Sequence, residues 1–393
     1  MNLIVDCHGH YTTTPPQVGA YREAQKAALM EDPDHIGDKG EIVVSDDEIR
    51  DSLEGAQLKL QRDRGTDLTI FSPRASWMGH HIGNEHTSKF WTQHTNDLIR
   101  RVCDLYPENF APVCALPQSP RASAEVAVAN TVSELRRCVE ELGFVGCNLN
   151  PDPSGGWWTG RPLDDPTWYP IYEAMVELDV PAMIHVSASC NDNFHATGSH
   201  YLGADTTAFM QAMTSGLFER FPAMRWIIPH GGGAVPYHWG RFKGMAEDSV
   251  AAGAESSYTT VDRLLDNIWF DTCVYHQPGI DLLTSVVPVD NILFASEMVG
   301  AVRGRDPDNG RFYDDTRRYI DDAALSDADR HKIFEANARR VYPRLVPLLD
   351  RLVEQRSGTE SRSETESAAT AGPADGTGTE GRKESGDEGG EGS

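Results

Sequence analysis

The sequence predicts an α/β fold, specifically a (β/α)8 TIM barrel with an acidic C-terminal tail, and three observations lead there. Short apolar runs rich in Val, Ile and Phe recur eight times along the chain. Longer segments of helical character separate them, which is the signature of strands alternating with helices in a parallel sheet. Eight such units over roughly 300 residues match a barrel, whose usual size is about 250 residues with insertions allowed. The rival is a doubly wound open sheet, which would usually carry a glycine-rich phosphate loop after its first strand; none follows here.

In order, the expected strands are residues 3–6, 67–71, 111–116, 144–149, 182–186, 225–229, 268–271 and 291–295. Helices are expected at 46–64, 87–106, 122–142, 166–178 and 208–221, then within 236–266, at 279–287, and finally at 327–342. The connection 11–44 is long, polar and proline-containing, and it follows the first strand. Loops after strands line the active face of a barrel, so this insertion reads as a lid or wall. The stretch 151–162, with Gly155-Gly156-Trp157-Trp158, follows the fourth strand onto the same face. There is no internal repeat.

The expected organisation is a catalytic domain over 1–345, the end of the last helix over 346–356, and a tail over 357–393. The tail contains no Leu, Ile, Val, Met or aromatic residue and carries nine acids against Arg362, Arg382 and Lys383. It cannot bury enough apolar surface to offset the entropy of ordering, so it reads as disordered. The whole chain of 393 residues has a formal charge of −25, which disfavours nucleic acid and anionic membrane as partners. Seven scattered cysteines, odd in number and without a C-x-x-C pair, fit reduced thiols. The N-terminus shows no signal-peptide pattern and no apolar run reaches membrane-spanning length, so a cytoplasmic location is expected.

The chemistry gathers at strand exits. The first strand runs into Asp6-Cys7-His8-Gly9-His10. Residues two apart on a strand point the same way, so both imidazoles can reach one metal ion. An H-x-H pair alone is weak, since chance supplies one in about every second chain of this composition. The fifth strand ends in His185, the sixth in His230 followed by three glycines, and the eighth in Ser296-Glu297. A lone histidine after an apolar run is more often a core residue than a ligand. Titratable groups at four strand exits are hard to explain separately.

These residues resemble the amidohydrolase superfamily, in the branch that contains decarboxylases and hydratases of aromatic breakdown, over about residues 1–345. The resemblance implies one divalent metal, usually zinc, held between strands one, five and eight, with the sixth-strand histidine free for acid–base work. Members with two metals use a carboxylated lysine at the end of strand four; here that position reads Cys147-Asn148-Leu149-Asn150, so a single metal is expected. Most members carry an aspartate after strand eight, where this chain has Glu297. That glutamate, with Ser72-Pro73-Arg74-Ala75, Gly198-Ser199-His200-Tyr201-Leu202 and the run from Met298 to Arg303, is similar to the hydratases of protocatechuate and gallate ring cleavage.

The implied site is therefore His8, His10, His185 and Glu297 around Zn2+, with Glu297 as base and His230, poised near neutral pH, as proton donor to carbon. The expected partner is a small polycarboxylate gripped by Arg74 and Arg303, with Tyr201 as a hydrogen-bonding neighbour and Arg241 as a third cation. Three imidazoles and a carboxylate also suit Mn2+, Fe2+ or Co2+, and association into a homo-oligomer is left open. The alternatives are a decarboxylase of the same superfamily acting on an aromatic or muconate-type acid, a lactone hydrolase, and a catalytically dead scaffold. His80, His81, His86 and His94 match no metal spacing, although His80 and His81 follow strand two and could touch substrate.

Overall fold

A computed structural model describes residues 3–251 and 258–357. Its eight strands are β1 (Val5–Tyr11), β2 (Leu68–Pro73), β3 (Phe110–Ala115), β4 (Gly146–Leu149), β5 (Ala182–Ile184), β6 (Trp226–Ile228), β7 (Ile268–Asp271) and β8 (Ile292–Leu293). They lie in sequence order, each parallel to the next. Just past β8 the chain returns to β1: the Cys7 amide donates to the Phe294 carbonyl at 2.9 Å and the Glu297 amide to the His8 carbonyl at 2.9 Å. The sheet thus curls back on its own first strand, which is the predicted barrel.

Side chains such as Phe71, Cys114, Cys147, Ile184, Trp226, Phe270 and Phe294 form one continuous buried core with the surrounding helices. Burial on both faces is why the strands read as uninterrupted apolar runs. The Asn96 side chain, on the helix Glu85–Leu105, donates to the Ala115 carbonyl and accepts from the Ala115 amide, tying that helix to the end of β3. Among the described residues no helix is long and apolar enough to cross a membrane.

Several expected elements are redrawn. β1 starts later and runs further than 3–6, so both of its histidines lie on the strand itself. Its register against β2 slips between Asp6 and Gly9, a bulge that re-aims the side chains there. The helix expected at 46–64 breaks into Asp46–Glu54 and Gln57–Asp63 around Gly55, with a capping box between Ser45 and Glu48 at its start. The helix expected at 208–221 begins earlier, as Tyr201–Met213, and resumes as Leu217–Arg220 after Thr214, Ser215 and Gly216. The helix closing the barrel reads as three pieces, Asp327–His331, a π-helical turn Lys332–Ala336 and Asn337–Val341.

The insertion 11–44 is partly a helix, Pro16–Glu31, rather than a continuous polar connection. Only Val18 and Arg22 of this helix are buried, so it carries no hydrophobic stripe for the sequence to reveal. Arg22 is its anchor: the guanidinium donates to the Met78 carbonyl at 2.8 Å and lies 4.8 Å from the centre of the Trp91 ring. A final helical segment begins at residue 346 and includes Ser357; the rest of the acidic tail lies outside the described residues.

Candidate metal centre

The strand exits converge. Gly9 separates the two histidines of β1, and a Cβ there would sit 2.3 Å from Thr69 Cγ2 on β2, so only glycine permits this approach of the two strands. His8 Nε2 and His10 Nε2 are 3.0 Å apart, and His10 Nε2 is 3.3 Å from His185 Nε2. Ligand atoms of His8, His10, His185 and Glu297 all lie within 4.8 Å of one another, and all four residues are buried.

The hydrogen bonds behind the rings assign their tautomers. The Asp271 carboxyl is held below its ordinary range; burial opposes this, but its hydrogen bond to His8 and the nearby imidazoles outweigh it. As a carboxylate it accepts from His8 Nδ1 at 2.7 Å. His185 Nδ1 donates to the Val186 carbonyl at 2.7 Å. Ser72 Oγ can donate to the Gly9 or Pro73 carbonyl, so it accepts from His10 Nδ1 at 2.7 Å and from Asn148 Nδ2 at 3.1 Å. Each of the three Nδ1 atoms therefore carries a proton, and the three Nε2 atoms turn toward one another. Burial first, and neighbouring imidazoles second, hold His10 and His185 well below the usual histidine range. Three imidazoles and a carboxyl group sharing one buried point are a fitting donor set for a divalent metal.

Glu297 reaches this point from a left-handed backbone, with φ of +47°. Tyr275 donates its hydroxyl to Glu297 Oε2 at 2.5 Å. Burial and then the Glu297 charge push the Tyr275 phenol well above its usual range, so it remains a donor. His230 stands beside the cluster, its ring centre 5.1 Å from that of His185 and 5.3 Å from that of Tyr201. His230 Nδ1 pairs with Asp205 Oδ2 at 2.9 Å, and its buried Nε2 has no hydrogen-bond partner among the described residues. Burial pulls the His230 value down, but the carboxylates of Asp205, Glu297 and Asp271 raise it to about 9, above the near-neutral value expected from the sequence.

Arg74, Tyr201 and Arg303 line one small cavity with His10, Thr12, Ser76, Thr197 and Glu297. Arg74 donates to Ser76 Oγ and Arg303 to the Gly300 carbonyl, and neither pairs with a carboxylate among the described residues. Arg241 is exposed on the helix Trp239–Ala251 and does not line this cavity. His80 is buried with Nδ1 3.4 Å from the Gln118 amide, and His94 bonds the Lys39 carbonyl, so neither joins the cluster. His81 and His86 do not line the cavity either. Trp158 packs against Val186, Tyr201 and Ala204, while Trp157 is exposed.

Sequence reasoning missed Asp271, Asp205, Tyr275 and the role of Ser72. Asp271 closes β7 and obeys the same strand-exit pattern as the ligands, so that pattern could have found it. Asp205 lies mid-helix and Tyr275 in a loop with φ of +67°, where no local signal marks them.

A 2-keto-4-carboxy-3-hexenedioate hydratase from Sphingobium sp. is 56% identical over 347 residues, covering 88% of this chain and 97% of the relative. The crystal structure of a 4-oxalomesaconate hydratase from Rhodopseudomonas palustris is similar with a TM-score of 0.78 and 49% identity, covering 91% of this chain and 100% of that one. A dihydroxybenzoic acid decarboxylase from Polaromonas sp. JS666, solved with bound manganese, shares the fold at a TM-score of 0.59 and 20% identity, covering 87% of this chain and 97% of that one. The family model described as Amidohydrolase matches residues 5–344. The chain belongs to the amidohydrolase family.

Proposed function

We propose that this protein is a metal-dependent hydratase, a hydro-lyase that adds water to the carbon–carbon double bond of 4-oxalomesaconate or its isomer 2-keto-4-carboxy-3-hexenedioate. The product is 4-carboxy-4-hydroxy-2-oxoadipate, in the meta-cleavage degradation of protocatechuate and gallate. The observation that carries this reading is a buried acid, Glu297, converging with three imidazoles beside a cavity lined by two guanidinium groups that pair with no carboxylate among the described residues. Similarity to two hydratases at 56% and 49% identity supports it.

A bound divalent cation would act as a Lewis acid and make a water molecule acidic enough to be a nucleophile at neutral pH. The chain's own residues supply the rest. Glu297 takes the proton released by the water, and Tyr275 holds one carboxylate oxygen so that the other faces the cluster. The hydroxyl adds to the carboxylate-bearing alkene carbon, which becomes C4 of the product. His230, kept protonated by Asp205, gives a proton to the adjacent carbon from Nε2. Arg74 and Arg303 grip substrate carboxylates, which a chain of net charge −25 would otherwise repel. Zinc is the metal proposed, at one equivalent per chain, because Asn148 stands where a second metal would need a bridging lysine.

The test is to incubate the metal-replete full-length protein with the unsaturated tricarboxylate and follow conjugated absorbance together with CO2. Loss of absorbance without CO2 is expected; CO2 release would instead identify a decarboxylase, and no turnover would sink the proposal. Elemental analysis finding manganese, or two equivalents of any metal, would correct the assignment of the metal.

A further inference from the structure

The turn that carries Glu297 is held in an unfavourable backbone conformation. Glu297 has φ of +47° and Val299 has φ of +60°. For a β-branched residue the left-handed region is a genuine outlier, and it persists only where neighbouring groups over-determine it. On the N-terminal side, the Ser296 amide and hydroxyl both donate to Asp6, and the Met298 amide donates to Ser296 Oγ at 3.2 Å. Within the turn, the Gly300 amide donates to the Glu297 carbonyl at 2.8 Å. A Cβ at Gly300 would lie 2.7 Å from Glu297 Cγ and 2.8 Å from its Cδ, so the turn wraps directly around the carboxyl-bearing side chain.

On the C-terminal side, one hydrogen bond among the described residues holds the Val299 amide. The amide donates to Asp314 Oδ2 at 3.0 Å, from a residue fifteen positions later. Asp314 is buried and clamped by Arg64, which donates to its Oδ1 at 2.8 Å and to its carbonyl at 3.0 Å. Arg64 is in turn tied down, since its own carbonyl accepts from Arg317 at 2.9 Å. The Arg64–Asp314 pair touches neither the histidine cluster nor the substrate cavity.

We infer that Asp314, clamped by Arg64, is a positioning residue for Glu297: by holding the Val299 amide it maintains the left-handed turn that aims the Glu297 carboxylate at the three imidazoles. The inference rests on the proposed role of Glu297 as a metal ligand and base. Loss of the Asp314 carboxylate lets Val299 relax toward ordinary φ, which turns Glu297 away without removing any group from the site.

The test measures metal retention, by chelator competition, together with kcat and KM on the full-length protein. Asp314→Ala should weaken metal retention about tenfold, the lower end of what loss of a supporting contact costs a metal site. It should lower kcat by a similar factor and leave KM within about twofold. Val299→Gly removes the backbone penalty, so the double variant Asp314→Ala/Val299→Gly should recover most of both losses. Asp314→Asn, which keeps an acceptor oxygen for the amide, should retain most of the wild-type metal affinity. Where Asp314→Ala yields no soluble protein, Arg64→Met provides the same comparison with Asp314 left in place. Unchanged metal retention in Asp314→Ala or its substitute, or failure of Val299→Gly to restore it, would overturn the inference. If Glu297→Gln itself leaves metal retention unchanged, the ligand assignment fails instead, and the two failures are thereby told apart.

Discussion

Each imidazole at the mouth of the barrel uses Nδ1 to bond the protein and presents Nε2 to the shared point, and the partner differs in each case: a carboxylate for His8, a hydroxyl for His10 and a backbone carbonyl for His185. Such partners fix ring orientation and ligand basicity, so their loss is felt at the metal. Glu297→Gln should lower kcat by about 1000-fold or more, because an amide can neither take the water proton nor bind as an anion; turnover near the wild-type rate would show the base misassigned. Tyr275→Phe removes the 2.5 Å hydrogen bond to Glu297 and should lower kcat about tenfold with little change in KM. Arg303→Met should act the other way, raising KM by roughly 10- to 100-fold through loss of a charge-assisted bond of about 1.5–3 kcal/mol. Steady-state kinetics on the unsaturated tricarboxylate separates the two patterns.

At the scale of elements, the site is a property of strand ends. His8 and His10 lie on β1, His185 just past β5, His230 just past β6, Asp271 at the end of β7 and Glu297 shortly past β8. Apolar runs ending in a histidine or an acid make most of this legible in the sequence, since each run needs only its own local composition to be recognised. The helix Pro16–Glu31 is not legible there, because its anchor is Arg22 bonding to backbone carbonyls and stacking on Trp91 rather than an apolar stripe. The breaks within the helices at 46–64 and 327–342 escape a sequence reading too: period alone does not report where a helix kinks or changes pitch. β1 tolerates no side chain at Gly9, where a new Cβ would strike Thr69 Cγ2. Gly9→Ala should therefore destabilise the fold by about 1–3 kcal/mol, the usual cost of overpacking, and weaken metal retention by splaying His8 from His10. Denaturant titration and chelator competition measure the two effects independently.

For the whole molecule, the barrel brings together groups that the chain keeps far apart, and metal binding adds its free energy to that of folding. Three imidazole nitrogens and a carboxyl group crowd together at the site, so stripping the metal should lower the thermal midpoint. With free metal at 1000 times its dissociation constant the linkage is worth about 4 kcal/mol, and calorimetry with and without chelator should register a drop of several degrees that re-addition of metal reverses. An unchanged midpoint would argue against the His8, His10, His185 and Glu297 centre.

The sequence by itself determined the alternation of strands and helices, the residue types at the strand exits and the absence of a bridging lysine at Asn148, because each is written in a few neighbouring residues. It left the Asp205–His230 pair, the Tyr275–Glu297 bond and the clamp of Arg64 on Asp314 to the tertiary structure. The last of these joins residues 250 positions apart, and the closure of β8 onto β1 alone brings such groups within hydrogen-bonding reach. The raised protonation of His230 belongs to the same class, since it arises from three carboxylates contributed by three different segments of the folded chain.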